Sequence, residues 1–193
     1  MKKSHVFNPK KIDVLEDNER KVWQNPDEIL EMIEIRPTDI AVDIGCGSGF
    51  FTIPLSLKAG KIYAIDFQNE MLDYLKQKIQ KLGIKNIIPL LSEGNDIPLE
   101  SNSVDLIISV NTLHEFGDRK KIIQEMERVL KNRGKALIVD FKKEDTGFGP
   151  LVSIRISKEQ AKDLFKKNHL KILKDQDILY HYVLVFSKEI STN

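Results

Sequence analysis

The chain has 193 residues, of which 41% are hydrophobic, 7% aromatic and 31% charged; this suits one globular domain and excludes a disordered or collagen-like chain. Lysine plus arginine (30) against aspartate plus glutamate (29) leaves a net charge of +1, so global charge gives no case for a nucleic-acid or membrane-surface partner. The single cysteine excludes an intramolecular disulfide framework and a multi-cysteine metal centre, and no metal site is expected.

The start, MKKSHVFNPKK, is charged with no apolar run after it, and nowhere do about 18 apolar residues follow one another. A cytoplasmic protein with no signal peptide and no membrane span is expected. The first 25 residues are polar with scattered Val6, Phe7, Leu15, Val22 and Trp23, and residues 1–25 are set apart as an N-terminal segment and candidate lid. Residues 26–193 are read as a single domain. Asn25-Pro26 supplies the cap and first position of a helix through about Ile35.

Between residues 38 and 188, short apolar runs alternate with longer amphipathic stretches, the pattern of β-α-β units around a parallel sheet. The strand candidates are IAVDI (40–44), KIYAID (61–66), IIPLL (87–91), VDLIISV (104–110) and KALIVDF (135–141). They are continuous apolar runs, as strands covered by helices on both faces require. Between the second and third, Met71, Leu72, Leu75, Ile79 and Leu82 fall on one helical face, with Gly83 placed to terminate it. A further helix from about Asp118 turns Ile122, Ile123, Met126, Val129 and Leu130 to the sheet, with Gly134 as its stop.

The stretch FKKEDTGFGPLVSIR (141–155) has no sustained period and reads as a long loop. Ser157 and Gln160 are spaced as a capping box for a helix whose apolar face is Ala161, Leu164 and Phe165. Residues 170–188 read as two strands joined too tightly for a parallel crossover, hence an antiparallel pair. The expected fold is α/β: a doubly wound, seven-stranded, mostly parallel sheet with an antiparallel last strand and helices on both faces.

The most informative stretch is VDIGCGSGFF (42–51), a strand, three glycines at alternate positions, then apolar residues opening a helix. Gly45, Gly47 and Gly49 permit a tight turn and close backbone approach to a ligand, and the helix N-terminus offers N–H groups to an anion. The dinucleotide fingerprint would need glycine where Phe50 stands, which disfavours a nicotinamide or flavin enzyme.

The spacing Asp43-x-Gly45-x-Gly47-x-Gly49 resembles the first motif of class I S-adenosylmethionine-dependent methyltransferases, which have a Rossmann-like sheet with an antiparallel final strand. The resemblance covers roughly residues 26 to 188 and points to the group that includes quinone-biosynthesis C-methyltransferases and arsenite methyltransferases; one cysteine argues against the arsenite chemistry. It implies S-adenosylmethionine as cofactor, released as S-adenosylhomocysteine, and in-line methyl transfer to a small-molecule acceptor. Asp43, Gly45, Cys46, Gly47 and Gly49 would surround the cofactor, with Cys46 a small residue packed beneath it. Asp66, 17 residues after Gly49, would accept from the ribose hydroxyls, with Phe67 beside it. The segment SEGNDIPLESNSVDLIIS (92–109) resembles the family's second acidic segment, so Glu93 would accept from the adenine amino group and Gly94 would offer its N–H to the ring. Asn95 or Asp96 could replace Glu93, and Asn111 would border the cofactor after the fourth strand.

After that strand, VNTLHEFGD (110–118) lacks the Asn/Asp-Pro-Pro-aromatic run of amino-methylating enzymes. His114 is the general-base candidate, with a packing or capping role as its competitor, and Glu115 is the second candidate. Tyr180, His181 and Tyr182 form a polar-aromatic cluster that strand alternation alone would explain. The loop Lys142–Pro150, with Phe7 and Trp23, could close over the cofactor as a lid. The competing readings are an RNA or protein methyltransferase, a nucleotide-dependent oxidoreductase and a non-catalytic cofactor-binding module. A monomer or homodimer is expected.

Overall fold

The apolar runs become strands β1 (Ile40–Ile44), β2 (Lys61–Asp66), β3 (Ile87–Leu91), β4 (Val104–Val110), β5 (Leu130–Phe141), β6 (Leu170–Asp177) and β7 (His181–Lys188). The computed structural model describes Asn8, Ile12, Asp17 and residues 19–190. Val6, Phe7 and Leu15, and with them much of the lid candidate, lie outside the described residues. The strands form one sheet in the order β3-β2-β1-β4-β5-β7-β6. β1 to β5 run parallel, and β7 is antiparallel to both β5 and β6. The order reverses direction between β1 and β4, and ligands of such sheets bind at the carboxyl ends of the strands flanking that reversal.

The helices are α1 (Arg20–Trp23), α2 (Pro26–Leu30), α3 (Thr52–Ser56), α4 (Asn69–Leu82), α5 (Arg119–Val129) and α6 (Lys158–Lys166). They cover both faces, giving one core on each side. On one side Ile122, Ile123 and Met126 of α5 and Phe165 of α6 meet Ile107, Ile138 and Phe186. On the other, Ile29, Leu55 and Leu75 meet Ile62, Ile108 and Val139. Successive residues of β4, β5 and β7 thus serve opposite cores, which is why these strands read as unbroken apolar runs. No helix among the described residues is long and apolar enough to cross a membrane.

Local chemistry sets the helix ends. Gly83 stops α4 in the left-handed region at φ 69°, and Ser157 with Gln160 forms the capping box of α6. Asn25 caps α2 by accepting from Asp27 N–H, but that helix ends at Leu30 rather than near Ile35. Gly134 is not the stop of α5. That helix ends at Val129, Leu130 already begins β5, and Gly134 lies within the strand, where a Cβ would press on the carbonyl oxygen of Lys131. The strand therefore starts five residues before the expected Lys135, with a bulge in its pairing to β4. Leu82 ends α4 with its side chain 55% exposed, outside the buried face of Met71, Leu72 and Leu75. Alternation does not explain His181 and Tyr182, because residues 181–186 are all buried.

Candidate active site at the carboxyl ends of the central strands

A cavity of about 690 Å³ opens where β1, β2, β4 and β5 end, within the roughly 300–1,000 Å³ usual for small-molecule sites. The glycine loop forms one wall. Gly45 N–H and Cys46 N–H donate to Ile65 O at 2.8 and 3.0 Å, and Gly47 N–H donates to Asp66 Oδ2 at 2.9 Å. Together they tie the loop to the end of β2. Gly45 is obligatory on two counts: its φ is +72°, and a Cβ there would overlap the Thr112 side chain. The helix after the loop is too short to act as an anion-binding terminus. α3 spans five residues and starts only at Thr52, so ligand recognition here rests on the loop backbone and the carboxylates.

Asp43, buried at the end of β1, accepts from Thr52 Oγ1 at 2.5 Å. Burial pushes its carboxyl up to about 7; the Thr52 hydrogen bond opposes this and nearby Asp66 adds to it. Asp66 also accepts from Gln68 N–H at 3.0 Å; burial raises it too, against the backbone hydrogen bonds it receives. Burial likewise drives the Cys46 thiol well above its ordinary range, so it is an inert packing residue.

Phe67, 42% exposed, lines this cavity and a smaller neighbour of about 160 Å³. The two share Gly45, Asp66, Thr112 and Glu115, and the smaller continues to Gly94, Asn95, Asp96 and Ile97. Glu93 is exposed and lines neither. Gly94 has φ +69° with open space at its Cβ position.

Residues 20–24 cross over the end of β4. Asn111, held at φ 57°, exchanges two hydrogen bonds with the fully buried Gln24, at 3.1 and 3.0 Å. Gln24 Oε1 also accepts from Arg20 Nε at 3.0 Å, and the Arg20 guanidinium lies 4.1 Å from the Phe50 ring centroid. Trp23 next to them stacks on His181 (5.6 Å, 4°) and meets Phe148 edge-on at 5.1 Å. Phe148 in turn lies 5.9 Å from Phe141, which lies 6.2 Å from His114. Trp23, Phe148, Phe141 and His114 all line the cavity and form its second wall.

That wall depends on Arg155, only 3% exposed. Its guanidinium donates to the carbonyls of Lys142, Glu144, Phe148 and Pro150 and to Thr146 Oγ1, at 2.7 to 3.1 Å. One buried cation, solvated by the loop's own oxygens, gives shape to a segment with no regular structure.

His114 is the best-defined ionisable group in the cavity. Its Nδ1 lies 2.7 Å from Asp140 Oδ1, and its backbone N–H donates to Asp140 Oδ2 at 2.9 Å. Phe141 N–H also donates to Oδ1, at 2.7 Å. Burial opposes protonation of His114, but the Asp140 carboxylate, with Glu115 adding to it, outweighs burial and raises the imidazole above its ordinary value. His181 behaves oppositely: neither ring nitrogen has a hydrogen-bond partner among the described residues, and burial drives it down to about 3. Burial pushes the Tyr182 hydroxyl up.

Sequence reasoning missed Asp140, Arg20, Gln24 and Arg155. Asp140 carried a usable signal: an acid closing an apolar strand is what singled out Asp66. Arg20 and Gln24 lie in a polar segment with no period, and Arg155 lies in a structureless loop. Among the described residues no group of three or more His, Cys, Asp or Glu is arranged to hold a metal ion.

Comparison with known proteins bears on this geometry. A family model described as "Methyltransferase domain" matches residues 35–184. A SAM-dependent methyltransferase from Aquifex aeolicus is 32% identical with a TM-score of 0.89, over 94% of this chain and 99% of its own. A putative type 11 methyltransferase from Sulfolobus solfataricus is also 32% identical, with a TM-score of 0.73 over 89% and 96% of the two chains. Demethylmenaquinone methyltransferase from Bacillus mycoides (strain KBAB4) is 28% identical over 130 residues, 66% of this chain and 54% of the relative. The chain thus spans about half the length of the curated relatives it matches.

Proposed function

The chain belongs to the class I S-adenosylmethionine-dependent methyltransferases, and from that premise we propose that its cavity holds the cofactor beside a small-molecule methyl acceptor. The observation that carries this reading is the junction of Asp66 with the glycine loop. The carboxylate is fixed by backbone N–H groups, Gly47 and Gln68 among them, yet lines the cavity and keeps lone-pair capacity for a ribose hydroxyl. Gly45 and Gly47 bring backbone to the same wall with no side chain between it and a ligand. The nucleobase is assigned to the smaller cavity, where Gly94 offers unobstructed backbone and Asn95 and Asp96 offer polar atoms. With Glu93 outside both linings, Asn95 or Asp96 takes the adenine amino group in this assignment.

The bound cofactor supplies a methyl group on a positively charged sulfur, so the chain's own task is to orient, desolvate and balance charge. Asp66 places a carboxylate on one side, beside the Phe50 and Phe51 rings. The Arg20–Gln24–Asn111 chain fixes the N-terminal residues over the end of β4, and the wall of Trp23, Phe148 and Phe141 bounds the acceptor space. The relatives named for demethylmenaquinone carry a small-molecule acceptor in their name, and the mainly aromatic wall suits an acceptor of that size class.

The test is calorimetry with S-adenosylhomocysteine on the wild type and on Asp66→Ala, with circular dichroism confirming the variant's fold. The wild type should bind, and each hydrogen bond lost from the carboxylate should weaken affinity by about tenfold or more. No binding by the wild type, or unchanged affinity in the variant, would overturn the assignment.

A further inference from the structure

We propose that His114 and Asp140 form a general-base pair for acceptors that carry a weakly acidic hydroxyl on a planar ring, so that the chain O-methylates phenol-type compounds. The inference rests on the methyltransferase reading above and adds the acceptor class and the residues that activate it.

The first argument is the tautomer. Asp140 sits at the end of β5 with its carboxylate filled by three partners: His114 Nδ1, His114 backbone N–H and Phe141 N–H. A carboxylate can only accept, so Nδ1 carries a proton and the lone pair of the neutral imidazole stands on Nε2. The backbone bond from the same residue to the same carboxylate fixes ring and strand end as one unit. His114 lines the cavity, so a proton acceptor is held at the acceptor wall in one orientation.

The second argument is what such a base is needed for. An unprotonated amine attacks a sulfonium methyl through a lone pair it already has. A phenolic hydroxyl attacks far better as its oxyanion. In the balanced step the hydroxyl proton passes to His114 Nε2 while the oxygen bonds to the methyl carbon. The carbon–sulfur bond breaks with its electron pair going to sulfur, which ends as a neutral thioether. The positive charge that began on sulfur ends on the imidazolium, where Asp140 stabilises it.

The third argument is the shape and charge of the acceptor space. Trp23, Phe148 and Phe141 present ring surfaces leading to His114, a wall for a planar apolar body. Among the described residues, the arginines around it are engaged elsewhere. Arg20 covers Phe50 and bonds Gln24, Arg119 donates to the carbonyls of Leu113, His114 and Ile154, and Arg155 holds the loop. A carboxylate- or phosphate-bearing acceptor would meet no cation set aside for it among the described residues.

The charged and titratable groups around His114 set the pH response. Asp140 on β5 and Glu115 in its own turn, 4.0 Å from Nε2, favour the imidazolium, and Arg119 on α5 opposes it. From β7, the Tyr182 hydroxyl and the neutral His181 ring lie within the field of Asp140. The rate should therefore climb with pH through a value above an ordinary histidine's and then level.

The experiment uses methyl-tritiated S-adenosylmethionine with phenol, 4-methoxyphenol and 4-nitrophenol, with benzylamine and benzoate as planar controls. Wild type, His114→Gln and Asp140→Asn are compared, and S-adenosylhomocysteine affinity is measured for each. The phenols should be methylated. Both variants should lose about 100-fold or more in kcat/KM on phenol while keeping cofactor affinity. The deficit should shrink for 4-nitrophenol at a pH where it is already ionised, since an ionised acceptor needs no base; a merely structural role would depress all phenols alike. Proton NMR titration should show the His114 pKa falling in Asp140→Asn. Preference for benzylamine or benzoate, no methylated phenol from a protein that binds S-adenosylhomocysteine, or an equal loss on every phenol would overturn the proposal and leave cofactor binding standing. Failure to bind S-adenosylhomocysteine would instead remove the methyltransferase reading and this proposal with it.

Discussion

Replacing Asp43 by asparagine should change how stability depends on pH, and the change can be worked out from two buried groups that offset one another. Asp43 has its carboxyl raised to about 7 from an ordinary 3.8, so between those values the folded state holds a proton that the unfolded chain has released. Stability therefore falls as pH rises through that window. His181 is driven to about 3 from 6.5, so between those values the unfolded chain takes a proton that the folded state refuses. Its contribution makes stability rise with pH. Between about pH 4.5 and about pH 6.5 both windows are open. Each group contributes on the order of 2–3 kcal/mol over the interval, with opposite signs. His114 is raised rather than lowered, so its contribution is present below 6.5 and is lost only at higher pH, outside this interval. The near-isosteric asparagine still bonds Thr52 but cannot titrate, which removes Asp43's part of the falling limb, while Asp66, also raised by burial, keeps its own part in both proteins. Urea unfolding followed by far-ultraviolet circular dichroism at the two pH values, without cofactor, should show the variant gaining about 2–3 kcal/mol relative to wild type as pH rises. Parallel profiles for the two proteins would refute the placement of Asp43 as a buried, largely protonated acid.

Two further substitutions test the walls of the cavity. Gly45→Ala places a side chain at φ +72° and against Thr112; it should lower stability by about 1–3 kcal/mol in urea unfolding and weaken S-adenosylhomocysteine binding, and a neutral outcome would mean the loop is not held as described. Arg155→Lys keeps the charge but has three donors where the guanidinium serves five acceptors, so at least two bonds are lost and loop docking weakens by about 3 kcal/mol or more. Faster tryptic cleavage after Lys142 or Lys143 and a shift in the emission of Trp23, the sole tryptophan, which rests against Phe148, should follow; unchanged cleavage would show that the loop is held by its apolar contacts instead.

Which parts of this molecule could be read from the chain alone follows from how far apart in sequence the determining groups lie. The strands, α4 and α6 declare themselves through local signals: an apolar run between two covered faces, a left-handed glycine at 83, a Ser157–Gln160 box. The glycine loop was legible because its requirement is also local, a turn in which Gly45, Gly47 and Gly49 all take positive φ. Gly134 misled because a glycine after an amphipathic stretch looks the same whether it ends a helix or lets a strand pass close to the Lys131 carbonyl, and only the neighbouring strand decides.

The wall proposed for the acceptor is built almost wholly from pairs with no local signature. His114 and Asp140 stand 26 residues apart, and Gln24 and Asn111 stand 87 apart. In each pair the members are unremarkable alone, a histidine in a turn, an acid at a strand end, a glutamine before a helix. Their chemistry appears only when β4 and β5 bring their carboxyl ends side by side. The reason is thermodynamic. A buried His114 gains its proton affinity chiefly from the Asp140 carboxylate, with Glu115 adding to it and burial opposing it, and the Asp140 contact does not exist until the sheet has formed. On the proposed reading, cofactor recognition draws on segments with local signals, the glycine loop and the acid ending β2, whereas acceptor recognition draws on residues far apart in the chain: 20–24, 111–115, 140–141 and 148–155. A substitution in any one of these segments can alter the acceptor while leaving the glycine loop untouched, so chains with the same loop need not share a substrate.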